Sequence, residues 1–111
     1  MKVKAYDRNG VAVIEPEGKL MGGADTGELD EKLYALLGRG QLQVVIDLGK
    51  TDWMNSSGIA ILIHHWKKFN DAGGKLKLAN LTKKIEKIMI IAKLTTVFEV
   101  HDTLEEAIAS F

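Results

Sequence analysis

The run Val44-Val45-Ile46 constrains the fold more than any other part of this sequence. It lies inside a predicted strand at residues 42–48 and is apolar at successive positions. Because side chains alternate between the two faces of a strand, apolar residues at successive positions indicate burial on both faces. Such a strand is typical of the centre of a sheet that has helices on both sides.

Strand patterns recur elsewhere in the chain. Residues 1–7 and 11–17 alternate between polar and apolar types, and Asn9-Gly10 between them is typical of a two-residue hairpin turn. Val11, Val13 and Glu15 are expected to share one face of the second strand. Further strands are predicted at 75–80 and 97–100.

Four helices are predicted from apolar residues at helical spacing and from the residues that start or end a helix. Two capping boxes, one glycine-rich end and one threonine cap support them: Asp25 with Glu28, Asp102 with Glu105, Ala72-Gly73-Gly74, and Thr82.

The predicted order of elements is β-β-α-β-α-β-α-β-α. Strands that alternate with helices indicate parallel pairing, because a crossover helix returns the chain to the same edge of the sheet. We therefore predict an α/β fold with a mixed, mostly parallel sheet of about five strands, an N-terminal antiparallel hairpin and four helices. Residues 1–111 are expected to form a single domain.

Composition argues against several classes of function. Fifteen basic and fifteen acidic residues give a formal net charge of zero, so the whole molecule has no field that would attract nucleic acid or an anionic membrane. The chain has no cysteine, which removes thiolate chemistry and favours the reducing cytoplasm. The apolar stretch 59–63 is far shorter than the ~20 residues of a membrane-spanning helix. Residues 1–9 lack the apolar core of a secretory signal.

Two serines, Ser56 and Ser57, lie where the central strand leads through a polar turn into an apolar helix. The first turn of a helix offers unpaired N–H groups and a partial positive charge, so a phosphate on either hydroxyl would be stabilised there. Ser57 is expected to be the N-cap of this helix. One cap does not account for both serines.

No catalytic, metal or cofactor site is predicted. His64 and His65 are the nearest bases to the serines, but at ~1.5 Å per residue they lie more than about 10 Å further along the same helix. The sequence has no Gly-x-Ser-x-Gly motif and no glycine pattern that cradles a nucleotide. Adjacent histidines also lack the i, i+4 spacing of paired metal ligands, so both are expected to be ordinary polar or boundary residues.

Four segments occur here in the order typical of one family: Ile46-Asp47-Leu48, Met54-Asn55-Ser56-Ser57-Gly58, an aliphatic helix, and Ala72-Gly73-Gly74 before Leu76-Lys77-Leu78. With them the chain resembles the STAS domains, named for sulphate transporters and anti-sigma factor antagonists, over nearly its whole length. It is most similar to the small stand-alone antagonists.

The resemblance implies that Ser56 is phosphorylated by a partner that is both an anti-sigma factor and a serine protein kinase. The unphosphorylated antagonist binds this partner and so frees a sigma factor, and the phosphorylated form lets go. Asn55, Ser57 and Gly58 would shape the turn, and the helix from Ile59 onward would form part of the interface. Neither nucleic acid nor membrane insertion is implied, and the oligomeric state is left open.

Two positions depart from the antagonist pattern. Asn55 stands where the antagonists usually carry Asp before the phosphoserine. The segment Gly18-Lys19-Leu20-Met21, expected in the loop after the hairpin, resembles the Gly-x-Leu-Asp element of the family. Met21 stands where that element has Asp. An alternative function therefore stays open, a constitutive adaptor or a subunit of a larger signalling or lipid-transport assembly.

The third helix has more isoleucine than its buried stripe requires. Ile85, Ile88, Met89 and Ala92 form that stripe, and Ile90 or Ile91 falls outside it. Because apolar arcs wider than about 100° are common, a helix buried on a wide face is expected, with exposed isoleucine as the alternative. The lysines of this region, Lys67, Lys68, Lys83, Lys84 and Lys87, are expected to be solvated.

Overall fold

The computed structural model covers residues 1–111 and describes all of them except the side chain of Asp25. The strands are β1 (Lys2–Arg8), β2 (Val11–Leu20), β3 (Gln43–Asp47), β4 (Thr51–Met54), β5 (Lys75–Ala79) and β6 (Val100–His101). The helices are α1 (Gly27–Gly38), α2 (Ser56–Asp71), α3 (Lys83–Ile91) and α4 (Leu104–Ala109), and a short 3-10 helix, Gly23–Thr26, precedes α1. Within the described chain, none of these helices combines the length and the apolar character needed to cross a membrane.

The six strands form one sheet in the order β1-β2-β3-β5-β6, with β4 beside β2. β1 and β2 are antiparallel, and every other pairing is parallel. β2 has two parallel partners, because residues 12–14 pair with β3 and residues 18–20 pair with β4. The predicted mixed, mostly parallel α/β fold with an N-terminal hairpin is confirmed, and β4 is a strand that the sequence pattern does not predict.

Both faces of the central strands are buried, as the run at Val44 predicts. Val44 and Ile46 lie in the main core with side chains of α1, α2 and α3, whereas Val45 lies in a smaller core under α4. β2 is buried on both faces from Val11 to Ile14, while Glu15 on the same strand is only half-buried. Three helices therefore cover one face of the sheet and one helix covers the other.

β1 is the outer strand of the hairpin. Asn9 and Gly10 have φ values of 55° and 82°, the left-handed pair that a two-residue hairpin turn requires, so the predicted turn is confirmed. On the edge of β1 away from β2, the Val3 N–H donates to Glu28 Oε2 of α1 at 2.7 Å. This contact ties α1 to the hairpin.

The predicted start of α3 and the predicted end of α2 are also confirmed. The Thr82 hydroxyl accepts from the Ile85 N–H at 3.3 Å and caps α3. At the end of α2, Gly73 has a φ of 87°, and the Gly74 N–H donates to the Phe69 carbonyl at 2.9 Å. This is the glycine-dependent closure by which a helix end satisfies its last carbonyls.

The predicted start of α1 is wrong. α1 begins at Gly27 with Thr26 as the cap residue, and Asp25 lies in the preceding 3-10 helix. The side chain of Asp25 is outside the described part of the chain, and Glu28 bonds to Val3 of β1. The Glu28 carboxylate, which the pattern assigns to a capping box, therefore binds a residue distant in sequence instead.

The predicted start of α4 is displaced by one residue. Thr103 caps the helix by accepting from the Glu106 N–H at 3.1 Å, and Asp102 lies outside it. Thr103 followed by Glu106 fits a capping box as well as Asp102 followed by Glu105 does, so the pattern alone does not separate the two.

The last strand lies later than predicted. Residues 97–98 follow α3 in a turn in which the Val97 and Phe98 N–H groups donate to the Leu94 carbonyl at 3.0 and 3.1 Å. Phe98 is buried with its ring edge-on to Trp66, at 6.0 Å between ring centroids. The strand begins at Val100, because only residues 100–101 pair with β5.

The wide buried face expected for α3 is wrong. Ile85 and Met89 are fully buried, but Ile90 is 55% exposed and Ile91 is 81% exposed. The main core contacts one side of α3 and leaves the opposite side in solvent.

Candidate functional site

The turn that carries Ser56 joins β4 to α2 and rests on the end of β2. Leu20 and Met54 are register partners in the parallel pairing of β2 with β4, and both are buried. The Asn55 N–H then donates to the Leu20 carbonyl at 3.3 Å, so contact with β2 continues to the last residue before the helix. The start of α2 is therefore held against the end of a buried strand.

Residues 18–20 belong to β2 and not to the predicted loop after the hairpin. Gly18 has a φ of 109°, which favours glycine, and the register with β4 shifts between Gly18 and Lys19. The shift lies within the pairing with β4, where the partner changes from Thr51 to Trp53. Met21 follows directly and is 37% exposed.

Asn55 is the N-cap of α2. Its Oδ1 accepts from the Gly58 N–H at 2.9 Å, and its backbone is extended, as an N-cap residue requires. The expectation that Ser57 caps this helix is therefore wrong. Asn and Ser are comparable as caps, and α2 begins at Ser56, two residues before the start that a Ser57 cap requires.

Ser56 and Ser57 are the first two residues of α2, and both are exposed. They differ in their surroundings, because the loop after β2 passes beside Ser57. A Cβ built on Gly22 would lie 2.7 Å from the Ser57 Cβ, and Gly22 has a φ of 83°. The side of Ser57 is thus lined by a glycine backbone that tolerates no side chain.

Gly58 allows α2 to approach β2 closely. A Cβ at this position would lie 2.0 Å from the Leu20 carbonyl oxygen, a distance that no side chain can occupy. Ile59 is half-buried and packs against the main core, and its N–H donates to the Asn55 carbonyl at 2.9 Å. The structure thus brings Asn55, Gly58 and Ile59 together at the end of β2.

Trp53 is an exposed residue of this region that was not predicted to belong to the site. It precedes Met54 on β4 and is 40% exposed. The Lys84 ammonium of α3 lies 6.0 Å from the centroid of its ring, at the outer limit of a cation–π contact. The four-residue pattern Thr51-Asp52-Trp53-Met54 has polar residues only at its first two positions, so it gives no signal of alternation that would identify a strand.

The two histidines of α2 lie apart from the serines, and only His64 is the exposed polar residue that the sequence predicts. His64 contacts the Tyr34 hydroxyl of α1. His65 is 1% exposed, and its Nε2 lies 2.6 Å from Asp30 Oδ1 of α1. Burial lowers the pKa of His65, while the hydrogen bond and charge of Asp30 act in the opposite direction.

Among the described side chains, no group of three or more His, Asp or Glu residues is arranged to hold a metal ion.

A family model for the STAS domain matches residues 2–107. The chain belongs to the STAS domain family. A curated relative, the candidate anti-sigma factor antagonist BtrV of Bordetella bronchiseptica, is 27% identical over 111 residues, which cover 100% of this chain and 95% of that protein.

Solved structures of anti-sigma factor antagonists share the fold. A candidate anti-sigma factor antagonist from Thermotoga maritima superposes with a TM-score of 0.86 at 18% identity, covering 97% of this chain and 92% of that one. The unphosphorylated anti-sigma factor antagonist SpoIIAA superposes with a TM-score of 0.74 at 15% identity, covering 98% and 96%. Phosphorylated SpoIIAA, a Bacillus cell fate determinant, gives 0.75 at 18% identity and covers 98% of both chains.

The resemblance found in the sequence is thereby confirmed at the level of the family, and the proteins to which the chain is similar include candidate anti-sigma factor antagonists. The residue that caps α2 in this STAS domain, Asn55, is also one of its two departures from the antagonist pattern. The other departure, Met21, lies just past the paired end of β2. Both departures therefore lie at the strand ends that meet beside α2.

Proposed function

We propose that this STAS domain is an anti-sigma factor antagonist that binds an anti-sigma factor with serine kinase activity, and that phosphorylation of Ser56 separates the two proteins. The chain acts in the cytoplasm as one domain, as ligand and substrate and not as an enzyme. The observation that carries the proposal is the position of Ser56, exposed at the first residue of α2 while Asn55 supplies the cap. The hydroxyl of Ser56 is therefore not needed to start the helix.

The antagonist names of BtrV and SpoIIAA, and the phosphorylated form in which SpoIIAA was solved, support the same function. Phosphate at Ser56 adds about −1.5 to −2 charges. In the free domain this charge is solvated at the positive end of α2. Beneath a partner it loses water, so phosphorylation favours the unbound state.

Asn55, which stands where the antagonists usually carry Asp, caps α2 without adding a charge beside Ser56. Its amide supplies the capping oxygen without a negative charge, whereas Asp at this position would place a carboxylate directly beside the phosphate. The neutral cap therefore removes a repulsion from the phosphorylated state.

The experiment has two arms. A partner captured with the unmodified chain is incubated with the chain and ATP, and the intact mass is followed for wild type, Ser56→Ala and Ser57→Ala. We expect one phosphate on wild type and on Ser57→Ala, and none on Ser56→Ala. Phosphate retained on Ser56→Ala would contradict the assignment.

The second arm measures the affinity of the purified partner for the unmodified chain and for the chain with genuine phosphoserine at position 56. A differential of only ~3 kcal/mol weakens binding by roughly a hundredfold, which is the expected result. Equal affinities would rule out the switch and favour a constitutive adaptor.

A further inference from the structure

The exposed side of α3 combines two isoleucines with three lysines. At about 100° per residue, Lys83, Lys84, Lys87, Ile90 and Ile91 fall within an arc of about 120°. This arc lies opposite the fully buried Ile85 and Met89, and Ile90 and Ile91 are 55% and 81% exposed. We call these five residues the α3 ridge.

The residues of the α3 ridge are not part of the core of this chain. The main core is already closed by the other side of α3, so the two isoleucines contribute nothing to it. Large aliphatic side chains that project together from a helix mark surfaces that other molecules cover. The lysines give the ridge a positive charge although the molecule as a whole is neutral.

The ridge is joined to the candidate switch turn by one contact. The Lys84 ammonium lies 6.0 Å from the centroid of Trp53, and Trp53 is the third residue before Ser56. Trp53 is itself 40% exposed, so an apolar and basic surface extends from α3 toward the start of α2.

We infer that the α3 ridge is a docking surface for an acidic protein segment that inserts aliphatic or aromatic side chains between Ile90 and Ile91 and places carboxylates against Lys83, Lys84 and Lys87. Charge complementarity selects this occupant. A second copy meeting the ridge through its own ridge would bring six lysines together, and nucleic acid would leave the isoleucines without apolar contacts. A bilayer is disfavoured because two isoleucines on a nine-residue helix bury little apolar surface.

The test is a selection of random 16-residue peptides displayed on phage against the immobilised full chain, with a parallel selection against the Ile90→Ser/Ile91→Ser double variant. We expect enriched peptides rich in Asp and Glu with Leu, Ile or Phe at intervals, and we expect this class to be missing from the parallel selection. No enrichment, or enrichment of basic or uncharged peptides, would overturn the inference.

An enriched peptide is then synthesised and its affinity measured. Ile91→Ser is expected to weaken binding by about tenfold, because burial of an isoleucine is lost. Lys84→Glu/Lys87→Glu should weaken binding at least as much and reduce its salt dependence. Lys67→Glu, at an exposed position of α2, is the matched control and should leave binding unchanged. All four positions are exposed, so thermal melting is expected to show intact folds.

Two further outcomes are decisive. Ser56→Ala should bind the peptide normally, because binding at the ridge does not depend on phosphorylation. Loss of peptide binding would therefore contradict the docking surface, and not the phosphorylation switch. Vesicles of phosphatidylcholine with 30% phosphatidylglycerol are the competing surface. Flotation of the chain with these vesicles, lost in the Ile90→Ser/Ile91→Ser variant, would assign the ridge to a membrane and overturn the inference.

Discussion

At the scale of single residues, Asn55 caps α2, a role that the sequence pattern assigns to Ser57. Its side chain caps α2 while its backbone extends the contact with β2, which leaves both hydroxyls outside the capping geometry. The sequence indicates that a polar turn starts this helix. It does not determine which residue is the cap, because Asn and Ser have similar preferences and the first helical residue depends on tertiary contact with Leu20.

Replacing Asn55 should therefore lower the free energy of unfolding, whereas replacing a serine of the turn should not. Asn55→Ala is expected to lower the free energy of unfolding by about 1 kcal/mol, because the Gly58 N–H loses its acceptor. Ser57→Ala is the control and should change it by less than about 0.5 kcal/mol. Urea unfolding measures both, and a larger loss for Ser57→Ala would contradict the assignment of the cap.

His65 gives the fold a dependence on pH. Burial lowers its pKa below the ordinary 6.5, so the unfolded chain binds a proton more readily than the folded chain does. The stabilising effect of the neutral ring is therefore fully present above pH 6.5 and is lost as the pH falls below that value. We expect the free energy of unfolding to decrease between pH 7.5 and 5.5, with a flatter profile for His65→Gln. An unchanged slope in His65→Gln would refute this account.

At the scale of elements, β4 shows why the sequence predicts five strands and the structure has six. β4 has four residues, of which only the first and last are buried, so it lacks the alternation that identifies a strand. It is a strand because it pairs with residues 18–20 of β2, more than thirty residues earlier in the chain. Long strands, glycine turns and aliphatic stripes were predictable from local pattern, whereas this non-local pairing was not.

The close approach of α2 to β2 should make Gly58 irreplaceable. Gly58→Ala places a Cβ 2.0 Å from the Leu20 carbonyl oxygen, so α2 must move away from the sheet. We expect a loss of about 3 kcal/mol or more in the free energy of unfolding, as for other overpacked sites. Gly27→Ala is the matched control, because it lies at the start of α1 with helical φ and ψ and with no atom within 4 Å of the added Cβ. It should be neutral or slightly stabilising, and equal losses in both variants would show that the contact at Leu20 is unimportant.

At the scale of the whole molecule, the two faces of the sheet are unequal. α1, α2 and α3 close the main core, whereas α4, a helix of six residues, closes the smaller one. The side chain of Lys77 compensates for this short helix. Its Nζ donates to the Ser110 carbonyl at 3.1 Å and to Ser110 Oγ at 2.7 Å, lies 2.8 Å from Glu99 Oε2, and sits 4.2 Å from the centroid of the Phe111 ring.

Lys77→Met should loosen α4 selectively. Methionine keeps the apolar stem and removes the ammonium, so amide hydrogens of α4 are expected to exchange faster, with a global loss of about 1 kcal/mol. The hydrogen bond from Lys77 is the main cause that lowers the pKa of Glu99 to about 2, followed by the one from His101, so this pKa should rise in the variant. Lys75→Met, on the same strand but exposed, is the control. Uniformly faster exchange throughout the chain would contradict a local role for Lys77.

The contact between Val3 and Glu28 affects how the edge of β1 can pair with strands of other molecules. β1 offers a seven-residue open edge, and such an edge is a template on which strands of other chains can add. The Glu28 carboxylate already holds the Val3 amide at 2.7 Å and presents negative charge to any approaching carbonyl. A strand arriving at this edge must first break a charge-assisted hydrogen bond, which disfavours the addition of strands from other chains.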